Sequence, residues 1–188
     1  MATYEEIAAI EAEIEALKRK KAEMIQTLTR EDVIDYEFPR AEGGTARLSE
    51  LFGRHDDLLL IHNMGGFCSY CTLWADGFEG LRPHLESRAA FAMVSNDDAA
   101  DAASFAKSRG WTFPVLSGRD STFTKDMGFY FEGQGVYPGV SAFHRRPDGS
   151  IVRVARAFFG PGDDFCPVWH FFDLLEGGAK DWEPKLRY

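Results

Sequence analysis

A chain of 188 residues, 45% apolar and 14% aromatic, is long enough to bury a core and too apolar to stay disordered. Its 21 Lys and Arg stand against 30 acids, a formal net charge of -9, and no basic tract interrupts that balance. Such a surface argues against nucleic acid or anionic membrane as a partner. No stretch approaches the roughly 20 apolar residues that cross a bilayer, and "MATYEEIAAIEAEIEALKRK" lacks the basic start, apolar segment and cleavage site of a secretory signal. A cytoplasmic location is expected. In a reducing compartment, three cysteines argue against a disulfide framework and make any disulfide a catalytic state instead.

Residues 4–28 read as one helix, opened by a capping box of Thr3 and Glu6. Ile7, Ile10, Ile14, Leu17, Lys21, Met24 and Leu28 recur at alternating spacings of three and four, a narrow heptad stripe broken by one lysine. The stripe needs a cover: either its own domain or a second copy of the chain, which would make a homodimer. Residues 1–30 are therefore set apart as an N-terminal amphipathic helix, with the main domain at 31–188.

"DVIDYEFPRAEGGTARLSELFG" reads as an extended segment, a Gly-Gly turn, a second strand and a short helix. "DLLLIHNM" is a continuous apolar run, the mark of a central strand buried on both faces. A helix is expected from about Ser69 to Leu81, with Gly77, Gly80 and Pro83 around its far end. "AAFAMVS" is the next strand, and "NDDAADAASFAKSRG" a helix with acids in its first turn and Lys107, Arg109 and Gly110 at its end. "WTFPVLS" and a short helix around "STFTKDMG" follow. "GVYPGVSAFHRRPDGSIVRVARAFF" predicts a hairpin turning at Pro147-Asp148-Gly149. "CPVWHFFDLLEGG" predicts a closing helix with Pro167 in its first position. Right-handed crossovers then place helices on both faces of a mixed sheet.

That order, with Cys68-x-x-Cys71 at the first strand-to-helix junction and a proline opening the hairpin, resembles the thioredoxin fold, here with an N-terminal extension helix. "CSYCTLWADGF", "GWTFPVLS", "YPGVSAFHR" and "LLEGGAKDWEPKLRY" further resemble a bacterial thioredoxin-like family of unknown function, usually labelled predicted dithiol-disulfide oxidoreductases and related to peroxiredoxins. The similarity runs from about residue 31 to the C-terminus. It implies a redox-active cysteine pair. Two departures bear on the chemistry. Ser69-Tyr70, without a proline, separates the cysteines. The threonine and proline that peroxiredoxins keep three and seven residues before the peroxidatic cysteine are Gly65 and Ile61 before Cys68, and Cys68 and Met64 before Cys71, which disfavours peroxidase chemistry.

The favoured reading is a thiol-disulfide oxidoreductase acting on a small molecule or thiol substrate. A cysteine at a helix N-terminus meets unpaired amides and the positive end of the helix dipole, so Cys68 is the expected nucleophile. Cys71, one turn on, would resolve a mixed disulfide. Pro138 is expected as a cis-proline shaping the substrate groove, the alternative being an ordinary strand-initiating proline. His62, six residues before Cys68, reads either as a core histidine bonded to backbone or as a proton shuttle facing the thiols. His55, His84 and His144 lie beside loops and carry no assigned role.

The third cysteine opens a second reading. Cys166 is placed as the N-cap of the last helix with His170 one turn further, and the topology returns "GPGDDF" toward the cysteine pair. Cys68, Cys71, Cys166 and His170 would then suit zinc, copper or iron, as a metal-dependent enzyme or metal carrier. Otherwise Cys166 is a small buried hydrophobe or a further resolving thiol. Phe67, Tyr70, Trp74, Phe158, Phe159, Phe165 and Trp169 are expected at the same end, as pocket walls or core, with Trp182 and Tyr188 anchoring the tail. A third reading is a non-catalytic interaction module.

Overall fold

In the computed structural model, which describes residues 2–40 and 43–188, the elements run α1 (Tyr4–Gln26), β1 (Glu31–Val33), β2 (Glu37–Pro39) and β3 (Thr45–Arg47). A single 3-10 segment (Leu48–Phe52) leads to β4 (Asp57–Asn63), α2 (Ser69–Glu86), β5 (Ala90–Ser95), α3 (Ala99–Arg109), β6 (Val115–Ser117) and α4 (Phe123–Asp126). The two-residue strands β7 (Tyr130–Phe131) and β8 (Gly135–Val136) precede β9 (Gly139–Arg145), β10 (Ile151–Phe158) and α5 (Val168–Phe172).

The main sheet is ordered β1-β10-β9-β4-β5-β6, with β4, β5 and β6 parallel and β9 antiparallel to β4. This is the thioredoxin-like mixed sheet expected from the element order. Successive side chains of β4 go to opposite faces, as the pleat requires. Leu58 and Leu60 enter a core with Phe38, Phe52, Phe123, Phe129 and Phe143, while Ile61 enters a second core with Trp74, Phe78, Phe91, Trp111 and Phe159. A strand with both faces covered can be apolar throughout, which is why its sequence shows no alternation.

The structure differs from expectation in three places. α2 runs on to Glu86 although Pro83 removes one helical hydrogen bond, and Leu85 in that extra turn packs on the second core. α5 is only five residues long, and Leu174 and Leu175 beyond it stay exposed. The β7–β8 hairpin is unannounced in the sequence because two-residue strands have no periodicity to read. The Gly-Gly turn is seen from Gly43 onward, its preceding pair at 41–42 lying outside the described residues.

The capping box of α1 is formed: the Glu6 amide donates to Thr3 Oγ1 at 3.2 Å and the Thr3 amide to Glu6 Oε2 at 2.8 Å. The heptad stripe does not pack on its own domain. Ile7, Ile10, Ile14, Leu17, Met24 and Leu28 are each 45% or more exposed. Instead Lys18 and Lys21 hold Asp164 at 2.7 and 3.2 Å, and Arg30 bonds the carbonyls of Ile25 and Val154. No helix among the described residues is long and apolar enough to cross a membrane.

Candidate functional site

β4 ends at Asn63, and the turn after it is held from two sides. Asn63 Oδ1 accepts the Gly65 amide at 2.7 Å, and Asp97 accepts the Gly66 amide at 2.7 Å and the Ser95 hydroxyl at 3.0 Å. Gly65 has φ +128, and a Cβ there would stand 2.6 Å from Asp97 Oδ1, so the turn requires glycine. The turn delivers Cys68 to the N-cap of α2.

At that position the Cys68 Sγ accepts the Cys71 amide at 3.1 Å, in the way a serine or aspartate oxygen caps a helix. Thr72 Oγ1 donates to the Cys68 carbonyl at 3.0 Å and fixes the first turn. The Cys71 thiol also donates to the Cys68 sulfur; with the amides of Cys71 and Tyr70, it draws the Cys68 pKa down to about 7 against the opposing effect of burial. The same contact with the Cys68 thiolate, reinforced by burial, pushes the Cys71 thiol far up. The pair is thus asymmetric: a half-buried Cys68 whose thiolate is favoured and a buried Cys71 whose thiol holds its proton.

Cys68 opens on a cleft of about 390 Å³ whose walls include Met64, Tyr70, Trp74, Val136, Pro138 and Phe159. Pro138 is therefore where the hairpin topology put it, facing the cysteine turn. Its peptide bond, however, is trans, as are the others among the described residues, which corrects the expected cis-proline. The neighbouring backbone is already bonded in this conformation: the Tyr137 amide donates to the Phe129 carbonyl at 2.7 Å and the Phe159 amide to the Pro138 carbonyl at 3.0 Å. Gly139 completes the passage, since a Cβ there would lie 2.3 Å from both the Ala157 carbonyl and the Phe129 ring.

The aromatic residues expected at this end do not all meet. Tyr70, Trp74, Phe159, Phe165 and Trp169 form a contiguous set: Tyr70 stacks on Trp169 at 6.1 Å, Trp74 on Phe159 at 5.6 Å, and Phe159 meets Phe165 at 5.0 Å. Phe158 points through the other face to Phe129 and Phe131, and Phe67 stands 72% exposed. Trp182 anchors the tail against Trp169 and Phe172. Tyr188 does not: it is exposed, and Arg109 holds the tail through the Leu186 carbonyl at 2.9 Å.

The four-ligand metal set is not assembled. Among the described residues no three His, Cys, Asp or Glu side chains are grouped so as to hold a metal ion. Asp163 is the reason. Its carboxylate accepts the amides of Gly160, Phe165 and Cys166 at 2.8, 2.7 and 3.0 Å and the Trp74 indole N–H at 3.3 Å. This winds the loop so that Cys166 turns into the core beside Trp74 and Phe159, where burial raises its thiol, while the His170 ring is drawn back to the Asp163 carbonyl at 3.3 Å. α5 is capped by Pro167, one residue after the expected Cys166. The sequence reading missed both Asp97 and Asp163. Asp163 carries a local signal, an aspartate two and three residues before the Phe165 and Cys166 amides that it accepts; Asp97 carries none, because the Gly66 amide it accepts lies 31 residues earlier in the chain.

His62 lies on the face of β4 opposite α2, so it does not shuttle protons to the thiols. It stacks on Phe129 at 3.8 Å, and its Nε2 pairs with the Ser141 hydroxyl at 2.9 Å rather than with backbone. Burial, helped by the charge of Arg153, lowers its pKa to about 3. The folded state thus stays neutral where an unfolded histidine takes up a proton. Stability conferred by neutral His62 is whole above the unfolded pKa near 6.5 and is lost as pH falls from there toward 3. Relative to a His62→Leu variant, the wild-type unfolding free energy is expected to fall by about 1.4 kcal/mol per pH unit below pH 6. Urea titrations at several pH values check this, and parallel curves for the two proteins would contradict it.

Over residues 4–186 the chain matches the family described as "Bacterial protein of unknown function (DUF899)". The chain belongs to that family. No functionally curated protein gives a significant match. Among solved structures it is similar to peroxidoxin BcpB of Mycobacterium tuberculosis, at 27% identity and TM-score 0.53 over 65% of this chain and 81% of that one. It is also similar to a PrxQ mutant of Xylella fastidiosa, at 20% identity and TM-score 0.55 over 70% and 86% of the two chains. Reduced Prx3 of Vibrio vulnificus, solved in complex with hydrogen peroxide, gives 16% identity and TM-score 0.57 over 72% and 90%. The last two likenesses establish the fold alone. Family and fold agree with the resemblance carried by the cysteine motif and the hairpin proline.

Proposed function

We propose that this protein is a thiol-disulfide oxidoreductase that works through Cys68 and Cys71 on a small disulfide. One observation carries the reading: the Cys68 sulfur caps α2, receives the Cys71 amide and thiol, and faces an apolar cleft. The thiolate, not the thiol, is the nucleophile, and a pKa near the working pH combines thiolate fraction with nucleophilicity. The peroxidoxin likeness is in keeping with thiol redox chemistry, while Gly65 and Ile61 stand where a peroxidase would need threonine and proline.

The Cys68 thiolate attacks one sulfur of the substrate disulfide; that S–S bond breaks, and the departing thiolate takes a proton from water. The mixed disulfide on Cys68 is uncharged, so the thiolate that had held the Cys71 proton in place is gone and Cys71 becomes easier to ionise. Cys71 then attacks the Cys68 sulfur, releasing the second substrate thiol and leaving a Cys68–Cys71 disulfide. Two electrons have passed to the substrate, and an external dithiol restores the pair. Pro138 lines the same cleft as the sulfur.

Alkylation of the reduced protein by iodoacetamide tests the starting state. The Cys68 rate is expected to be half-maximal near pH 7 and to fall about tenfold per pH unit well below it, whereas an ordinary cysteine titrates near 8.5. Cys71 and Cys166 should resist labelling. A Cys68 rate still climbing past pH 8.5 would remove the basis of this assignment.

A further inference from the structure

The cleft has a larger neighbour. A basin of about 730 Å³ adjoins it and shares Met64, Gln134 and Val136 as walls. Met64 Sδ lies 4.0 Å from the Cys68 Sγ, so the basin begins one side chain away from the sulfur. The two spaces differ in chemistry. Among the described residues, no charged side chain lines the cleft, whereas Arg119 and Lys125 line the basin beside hydroxyl and amide groups, and no acid does. Arg119 stands 3.7 Å from Asp98, but both are about half exposed, and an open pair of that kind is weak enough to yield to a ligand. In a chain with 30 acids against 21 basic residues, a hollow that adjoins the cysteine cleft and is lined by two cations, with acids only at its margin (Asp98 by Arg119, Asp126 by Lys125), is a departure from the general surface.

We propose that the basin receives an anionic group of the substrate, which makes the substrate a small disulfide bearing a carboxylate or similar anion close to its sulfur. The proposal rests on the dithiol reading above. The cleft would hold the sulfur-bearing apolar portion, with the charged arm passing Met64 to Arg119 and Lys125. Chemical balance is that of the exchange already described: Cys68 bonds one substrate sulfur, the other leaves as a thiol, and Cys71 releases the first, so the protein dithiol supplies both electrons.

The sign of the expected effect is diagnostic. A thiolate in a chain of net charge -9 repels anions, so without the basin a cationic disulfide would react fastest and an anionic one slowest. Pre-reduced full-length protein is mixed in single turnover with dithiodipropionate (anionic), bis(hydroxyethyl) disulfide (neutral) or cystamine (cationic), and the rate of Cys68–Cys71 oxidation is read by mass. The anionic disulfide is expected to exceed the neutral one by about tenfold at low salt. The combined Arg119→Gln and Lys125→Gln variant is expected to bring that ratio to one or below. Because the readout is a ratio, general loss of folded protein does not mimic the result. A wild-type ratio of one or less, or a ratio the double variant leaves unchanged, overturns the proposal while the dithiol reading stands. Failure of all three disulfides to oxidise the protein overturns both.

Discussion

Serine at Cys68 is expected to lower turnover of a small disulfide by at least about a thousandfold, to the uncatalysed background. A serine hydroxyl keeps the N-cap hydrogen bond to the Cys71 amide but does not ionise near neutral pH, so the helix survives and the nucleophile does not. Cys71→Ser is expected to behave differently. The first exchange proceeds, the second has no thiol to carry it, and one substrate half stays attached to Cys68. Multiple turnover, followed as consumption of an external dithiol, should be lost in both variants, while intact mass should show a stable adduct only in Cys71→Ser. Full activity in Cys68→Ser would end the proposed mechanism.

Asp163→Ala is expected to cause the largest loss of stability among changes outside the aromatic core. The carboxylate accepts three loop amides and the Trp74 indole, and hydrogen bonds to a charged group contribute about 1.5–3 kcal/mol each before the loop relaxes. With partial rehydration of the freed amides, a net loss of about 3 kcal/mol is expected, or roughly 6–12 °C in Tm for a chain of this size. Gly160 and Pro161 belong to the cleft wall, so KM for a small disulfide should rise more than kcat falls. Asp163→Asn should be milder: its carbonyl retains acceptors for one side of the loop, while its NH2 meets the Gly160 amide donor to donor. Thermal scans and steady-state kinetics check both effects, and a Tm within about 1 °C of wild type for Asp163→Ala would show that the loop is held by its aromatic packing instead.

Much of the fold is legible residue by residue. The Thr3–Glu6 capping box, the uninterrupted "DLLLI" of a strand covered on both faces, the acidic first turn and Gly110 end of α3, and the Asp148-Gly149 turn are local signals that the structure reproduces. Each depends on groups within a few residues of one another. Where expectation and structure part, a distant contact decided. Leu85 packs on a core that the sequence order does not reveal, and so α2 outlasts Pro83. The β7–β8 hairpin has too few residues to carry a pattern, yet it forms the shared wall of the cleft and the basin.

The sequence by itself determined the alternation of strands and helices that gives a mixed sheet covered on both faces, placed Cys68 and Cys71 at the first strand-to-helix junction, and put Pro138 at the mouth of the facing hairpin. Tertiary structure alone decided where the third cysteine and His170 would point. Their spacing along the chain suits a metal, but Asp163 gathers the loop amides and the Trp74 indole into one hydrogen-bonded knot, which buries Cys166 and turns His170 away. It also decided the asymmetry of the pair, since a thiolate pKa is set by which donors converge on the sulfur in space. Spacing along a chain sets which groups can meet; packing and the need to satisfy buried polar groups set which ones do.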